Sequence, residues 1–561
     1  MVSSHWLLHY FYIIFTILLQ YFYNRFTILS AKYGKVFPSR KTNQGDTMET
    51  RLSKCRSGAV CGVEARAVEI EVCSESGSPQ FTIVGLPDQA VKEAKDRVAA
   101  AIGNSGFTRI ESNITVNLAP ADVRKEGPLY DLPIAVGLLV AAGRINCPDL
   151  MDFAIAGELA LSGEVRPVDG ILPIALEMRR IGQRGIIVPA ANAAEASMVD
   201  GIDVYPVRSL REAADFLAEA IDIMPVKSDP GMFVAADVDG GDDFADVKGQ
   251  ITAKRAIEVA VAGGHNILMC GTPGSGKTML ARRIPSILPP LTVAEALEVT
   301  RIHSVAGTLP EGTPLVTRRP FRAPHHTVSD AGLLGGGAHP GPGEVSLAHR
   351  GVLFLDELPE FRRNVLEVLR QPLEDGHVVV SRVAASCDFP SRFTLAAAMN
   401  PCPCGYFGDP RRPCRCSQAR IMAYRNRISG PLLDRIDIQI EVSAVSCDEL
   451  ADLPRGESSA AIRARVVAAR ERQRRRFAEI PGVTCNSEMR SRDLARFCRL
   501  DAEAQRFMKG RLRELDLSAR AYDRVLKVAR TIADLAGRED VTWEDVSEAS
   551  GYRALDRSFW N

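Results

Sequence analysis

The sequence predicts an α/β protein of several domains with a parallel sheet at its centre, and three observations predict it. A glycine-rich octapeptide, Gly271, Thr272, Pro273, Gly274, Ser275, Gly276, Lys277 and Thr278, sits between an apolar run at 266–270 and a helical pattern at 279–288. A second run, 351–355, is hydrophobic throughout and ends in Asp356 and Glu357; strands of that composition belong inside parallel sheets. The chain has 561 residues, too many for one core, so about three domains are expected.

Along the chain the elements follow in order. Residues 1–47 are aromatic-rich and nearly uncharged from 6 to 26. That length allows a membrane span, which needs roughly 20 apolar residues, but the charged start and small-residue cleavage site of a signal peptide are missing. The expectation is a leader that is not part of the native protein, which then begins at Met48, with no membrane partner. Residues 48–225 alternate short β-rich runs (67–73, 80–84, 114–118) with helical periodicity at 88–102. The stretch 226–243, rich in Gly, Asp and Pro, reads as a linker. The nucleotide motifs occupy 244–445, and 446–561 is helical and arginine-rich, clearest at 460–477 and 519–536. No internal repeat is visible.

The octapeptide fits GxxxxGK[ST] in the required setting. A strand feeding a glycine turn and then a helix aims backbone N–H groups at one point, where phosphate oxygens sit. ATP or GTP is the implied ligand, with Lys277 on the β/γ-phosphates and Thr278 on Mg²⁺. Asp356, leaving a buried strand, is placed to hold the Mg²⁺ through its water, and Glu357 to polarise the attacking water.

The formal charge is zero, so net charge argues for no nucleic-acid partner and any basic surface is local. Thirteen cysteines without a secretory signal point to a reducing, cytoplasmic setting in which clustered thiols mean metal more often than disulfides. Cys402, Cys404, Cys414 and Cys416 form C-x-C-x9-C-x-C within the loop 402–416, which has few apolar residues to bury. Four thiolates close a tetrahedral Zn²⁺ site that orders such a loop. The one-residue spacing is tighter than usual, and free thiols or a redox pair remain the alternative. The cluster is expected to be structural and independent of the phosphate loop. His325 and His326, with His339 and His349 nearby, read as hydrogen-bonding or DNA-facing groups, since adjacent histidines in an extended strand point to opposite faces. Arg463, Arg465, Arg470, Arg472, Arg474, Arg475 and Arg476 offer either a solvated helix face or a phosphate contact.

Four further blocks, 246–250, 319–326, 341–347 and 400–405, accompany the phosphate loop. With them the chain from Met48 onward resembles the magnesium-chelatase-like AAA+ ATPases of the YifB/ComM type. That resemblance implies an N-terminal Lon-protease-like (ribosomal S5-like) α+β domain, an AAA+ P-loop α/β core and a C-terminal helical lid. It implies ATP as the nucleotide, a homohexamer, branched or single-stranded DNA as partner alongside recombination proteins, and branch migration as the activity of its competence-associated members. It assigns Asn400 as the sensor orienting the attacking water, Arg435 as the arginine finger serving the adjacent subunit, and Arg520 as the lid sensor, with Arg524 competing. The hairpin-like stretch 377–393 matches the pore hairpin of related ring helicases, where Arg382 and Arg392 would meet phosphates. In the block Lys125, Glu126, Gly127, Pro128, Leu129 stands where a Lon-type nucleophilic serine belongs, and the lysine expected near 169–174 is absent. A serine/lysine hydrolase needs both, which disfavours an ATP-dependent protease. A chelatase-type or protein-remodelling motor is the alternative function.

Overall fold

The computed structural model describes residues 51–228, 242–336, 341–381, 386–444, 454–515 and 519–553. The leader 1–47, most of the linker, Arg382, His339 and the boundary at 445/446 lie outside them.

The N-terminal domain is built on a long hairpin. Strand β1 (Arg51–Cys61) pairs antiparallel with β2 (Glu64–Glu75) over its whole length. β2 alternates between buried and more exposed positions, as a strand with one face on a core must. With β3 (Gln80–Val84), β4 (Asn113–Ala119), β5 (Phe153–Ile155), β6 (Gly185–Pro189) and β7 (Asp203–Val207) they form a seven-stranded mixed sheet in the order β3-β4-β2-β1-β5-β6-β7. The helix Asp131–Ala141, apolar on nearly every side, packs across β1 and β2 and is buried throughout most of its length. Leu129 lies in the short turn before it and is buried among core residues.

The central sheet takes β8 (Ile267–Cys270), β9 (Phe321–Arg322), β10 (Val352–Leu355), β13 (Thr394–Met399) and β14 (Ile438–Glu441) in the order β9-β10-β13-β8-β14. Every pair is parallel, and β8 and β10 are buried at each position, the burial that their continuous apolar runs demand. A parallel sheet has two chemically distinct edges. All strand ends share one, where the phosphate loop, Asp356 and Asn400 follow their strands; all strand starts share the other. Between β10 and β13, β11 (His377–Ser381) and β12 (Ser386–Pro390) form the expected antiparallel hairpin.

The C-terminal helices Ser459–Arg476, Ala519–Leu535 and Trp543–Gly551 share one core with the helix Ile251–Gly263 and the central sheet. The arginine-rich helix is therefore not a free basic face. Arg465 pairs with Glu258 and Glu457 at 2.5 Å, Arg470 donates to the Val261 carbonyl at 2.9 Å, Arg472 to the Asp534 carbonyl at 2.9 Å, and Arg476 to the buried Asp534 carboxylate. Arg474 and Arg475 both bind Glu471, and Arg463 donates to the Ser286 carbonyl at 3.4 Å. Among the described residues no helix is long and apolar enough to cross a membrane.

Candidate functional site

At the strand-end edge, the loop 271–276 turns on two glycines in the left-handed region, Gly274 (φ 78°) and Gly276 (φ 90°), a conformation that costs glycine little. A Cβ on Gly271 would stand 2.3 Å from the Val442 carbonyl, so only glycine fits against β14. The helix Lys277–Ile287 then starts with no side chain capping it, leaving its first N–H groups directed out of the helix. Lys277 is 8 % exposed and donates to the carbonyls of Gly271 (2.7 Å) and Thr272 (3.0 Å) and to Asn400 Oδ1 (3.3 Å). Burial pushes its pKa below the usual lysine value. Thr278 Oγ1 donates to Asp356 Oδ2 at 2.6 Å, and the Glu357 N–H donates to Asp356 Oδ1 at 2.9 Å. Glu357 is a non-glycine residue at φ 52°, an uncommon conformation that clusters at functional sites.

These contacts gather the octapeptide, Asp356, Glu357 and Asn400 into one site. Their chemistry fits a magnesium nucleotide: an uncapped helix N-terminus and a buried ammonium suit phosphate, and a hydroxyl paired with a carboxylate suits Mg²⁺. Two residues had not been assigned to it from sequence. Gln250 Nε2 donates to the carbonyls of Ser443 (2.6 Å) and Ser275 (3.2 Å), bracketing the loop. His326 Nδ1 lies 3.5 Å from Glu357 Oε2, its ring 4.0 Å from that of His325. The opposite-face expectation for this pair fails because β9 ends at Arg322 and both rings sit in the following loop, side by side. His349 serves the frame instead: its ring accepts from the Arg392 N–H at 3.0 Å and meets Glu298 at 3.2 Å. Arg392 extends to the Gly482 carbonyl at 3.2 Å, bound into the C-terminal domain.

The arginines assigned from the resemblance lie at the other edge. Asn266, just before β8, donates from Nδ2 to the Arg435 carbonyl at 2.8 Å, and its N–H meets Asp437 Oδ2 at 3.3 Å. Arg435 is 8 % exposed; its guanidinium ion-pairs with Glu374 and donates to the Pro431 carbonyl at 2.5 Å, and its Nε is buried without a partner. Arg435 forms no salt bridge with its neighbours Asp434 and Asp437. Asp437 pairs with Arg524 at 2.8 Å and His265 at 3.4 Å; burial opposes its charge, yet Arg524 and His265 hold its pKa well below the carboxylate range. Arg435, Arg520, Arg524 and Asp437 line one cleft of about 1160 Å³, to which no residue of 271–278 contributes. Four residues of β8 separate the two edges, about 13 Å of strand.

The cysteine cluster is the third feature. Cys402 Sγ lies 3.4 Å from Cys404 Sγ and 3.7 Å from Cys414 Sγ, Cys404 and Cys414 are 3.6 Å apart, and all four thiols fall within 4.8 Å of one another. Contrary to the expected independence, the cluster abuts the phosphate loop: a Cβ on Gly405 would stand 2.6 Å from the ring of Pro273.

Residues 243–450 match the family described as Magnesium chelatase, subunit ChlI; residues 69–192 match Subunit ChlI of Mg-chelatase; residues 456–553 match Magnesium chelatase, subunit ChlI C-terminal. The chain is 44% identical over 504 residues to Competence protein ComM of Haemophilus influenzae, covering 89% of this chain and 97% of that protein. It is 43% identical over 508 residues to the YifB protein of Escherichia coli, covering 90% and 98%. Lon protease 2 of Bacillus subtilis is 26% identical over 163 residues, 26% of this chain and 29% of that protein.

Proposed function

The chain belongs to the magnesium-chelatase-like AAA+ ATPases of the YifB/ComM type, and we propose that it is a hexameric DNA motor promoting branch migration of recombination intermediates, as in natural transformation. One observation carries the assembly: the residues suited to phosphate, metal and water sit at one edge of the central sheet, and Arg435, Arg520 and Arg524 at the other. A chain so divided completes its hydrolytic site only when the strand-start edge of a neighbour meets its own strand-end edge. Arginines supplied across such a junction tie hydrolysis to ring assembly. Support for DNA comes from the extensive likeness to a competence protein and from the β11–β12 hairpin at the pore-hairpin position.

In this reading Lys277 and the N–H groups of the following helix hold the β/γ-phosphates, and Thr278 and Asp356 hold Mg²⁺. Bound Mg-ATP supplies the scissile phosphoryl group and the charge that draws in the arginines. Glu357, on its left-handed backbone, takes the proton of the attacking water, and Asn400, which donates and accepts at once, orients that water. His326 sets the Glu357 carboxylate. Zn²⁺ is the resident of the four cysteines, whose closed thiolate set is structural rather than hydrolytic.

Incubation with a synthetic four-way junction, ATP and Mg²⁺ tests the reading: labelled arms separate with the wild-type chain and not with Lys277→Ala. The three ChlI matches favour a second reading, a motor that remodels a partner protein. Robust ATPase with arms that never separate, at any junction or salt concentration, selects that alternative.

A further inference from the structure

The loop carrying the four cysteines has no core of its own, yet it presses on the phosphate loop. Between 402 and 416 the only large apolar side chains are Tyr406 and Phe407, and Phe407 is 41 % exposed. The order of the segment must come from elsewhere. The sulfur separations of 3.4, 3.6 and 3.7 Å supply the answer, since the edge of a tetrahedron with Zn–S bonds of about 2.3 Å is about 3.8 Å.

The first half of this knuckle is wired to the nucleotide site by a continuous run of backbone. The Gly271 N–H donates to the Met399 carbonyl at 3.2 Å. Asn400, whose side chain meets Lys277, follows Met399 directly. The Pro401 carbonyl accepts from both Nε and Nη2 of Arg425 at 3.2 Å, and that arginine, 4 % exposed, lies 5.2 Å over the Phe407 ring. Cys402 is fully buried and its carbonyl accepts from the Gly405 N–H at 2.9 Å. Gly405, at φ 87°, then rests against Pro273, with no room for a side chain: a Cβ would stand 2.6 Å from Cδ and Cγ of that ring and 3.9 Å from the Asn400 side chain. Pro273 is the third residue of the phosphate loop, so the knuckle is its outer wall.

We propose that the Cys402, Cys404, Cys414 and Cys416 site binds one Zn²⁺ whose occupancy holds the phosphate loop and Asn400 in place, so that metal loading sets nucleotide affinity. The proposal rests on the reading of 271–278 as the nucleotide site. Two sites sharing one wall are thermodynamically linked, and the linkage is reciprocal: zinc tightens nucleotide, and nucleotide slows zinc loss.

The test uses the full chain with a fluorescent ATP analogue for affinity, atomic absorption for zinc, and a chromogenic chelator for the rate of zinc release. The expected results are about one zinc per chain in the wild type, a zinc-free Cys414→Ser that binds nucleotide at least tenfold more weakly, and zinc release slowed severalfold by a non-hydrolysable ATP analogue. Gly405→Ala, which pushes on Pro273 without removing a ligand, is expected to keep its zinc and also lose at least tenfold in affinity. Lys277→Ala is expected to keep its zinc and bind no nucleotide. Should Lys277→Ala bind nucleotide normally, the assignment of the nucleotide site itself is wrong. Should Lys277→Ala behave as expected while zinc-free Cys414→Ser or Gly405→Ala binds like the wild type, the coupling is refuted with the site assignment intact. If Cys414→Ser does not fold, Gly405→Ala and the chelator kinetics decide alone: wild-type affinity in that variant, or release indifferent to nucleotide, overturns the proposal.

Discussion

Arg435→Ala is the sharpest perturbation of the assembly argument. In the isolated chain its guanidinium pairs with Glu374, whose side chain is 59% exposed; a pair with one partner so open to solvent is worth no more than about 1 kcal/mol. Swinging Arg435 toward a neighbour's phosphates gives up little with Glu374, and the hydrogen bond to the Pro431 carbonyl besides. An arginine finger contributes about 10³- to 10⁵-fold in turnover, or about 4–7 kcal/mol, and releasing it from Glu374 removes at most about fivefold of that. The expected result is a kcat at least about 10³-fold lower with nucleotide affinity within about threefold of wild type, because the charge it meets develops in the transition state. Glu374→Ala is expected to leave kcat within about fivefold. Coupled-enzyme ATPase assays and nucleotide titration give both constants. Mixing decides whether the residue acts on a neighbour: inactive Arg435→Ala and inactive Lys277→Ala chains combined should recover ATPase, since some interfaces then join an intact loop to an intact finger. A mixture that stays inactive while mixed rings demonstrably form, or an Arg435→Ala chain that hydrolyses ATP normally, refutes the reasoning.

Glu357→Gln should bind ATP with unchanged affinity while turnover falls about 10²- to 10⁴-fold, the usual loss on removing a general base; normal steady-state hydrolysis by this variant removes Glu357 from that role. Stability should fall as pH drops below about 6.5, because His265 and His349 are held neutral by burial, with folded pKa values below the ordinary 6.5, while the unfolded chain takes up their protons. Each contributes a slope of up to about 1.4 kcal/mol per pH unit between its folded and unfolded pKa values. Urea melts at pH 7.5 and 5.5 measure it, and His349→Asn should flatten the difference.

The strand-end site was legible in sequence because a parallel sheet puts every strand end on one edge. Once 266–270 and 351–355 are read as parallel strands, the phosphate loop and Asp356 must fall at the same edge, and they do; Asn400 was placed there by the resemblance, and its side chain meets Lys277. The location of the lid arginines was not legible, since nothing local says that the helix Ala519–Leu535 packs on Ile251–Gly263 and brings Arg524 to Asp437. Long-range partners were equally invisible for the arginine-rich helix: Arg465 is paired with Glu258, some two hundred residues upstream. The opposite faces expected of the histidine pair came from an assumed strand that is only two residues long. For the cysteines, spacing gave the cluster but not its neighbour, because the contact between Gly405 and Pro273 joins loops 132 residues apart.

The N-terminal domain, in which Leu129 stands where the resemblance places a nucleophilic serine, contacts the nucleotide-binding half of the chain in two places. Leu291, Ala296 and Leu315, from the nucleotide-binding half of the chain, are buried in the N-terminal core, and the Gly170 N–H donates to the Ser304 carbonyl at 3.1 Å. At the other end of the domain the turn between β1 and β2 meets β12: Val63 joins the hydrophobic cluster that contains Cys387 and Phe389, and Gly62 has no room for a Cβ beyond 3.1 Å from the Asp388 carbonyl. The domain thus contacts both the helix Val293–Val305 and the base of the β11–β12 hairpin. Ala296→Asp tests the first of these contacts by burying an unpaired carboxylate at the junction, a change expected to cost several kcal/mol. If the junction couples the two halves, calorimetry should show wild-type unfolding that includes them in one transition and variant unfolding split into two, with the nucleotide-dependent transition moved to lower temperature. Unfolding in a single transition at the wild-type temperature would mean that the two halves do not depend on this contact.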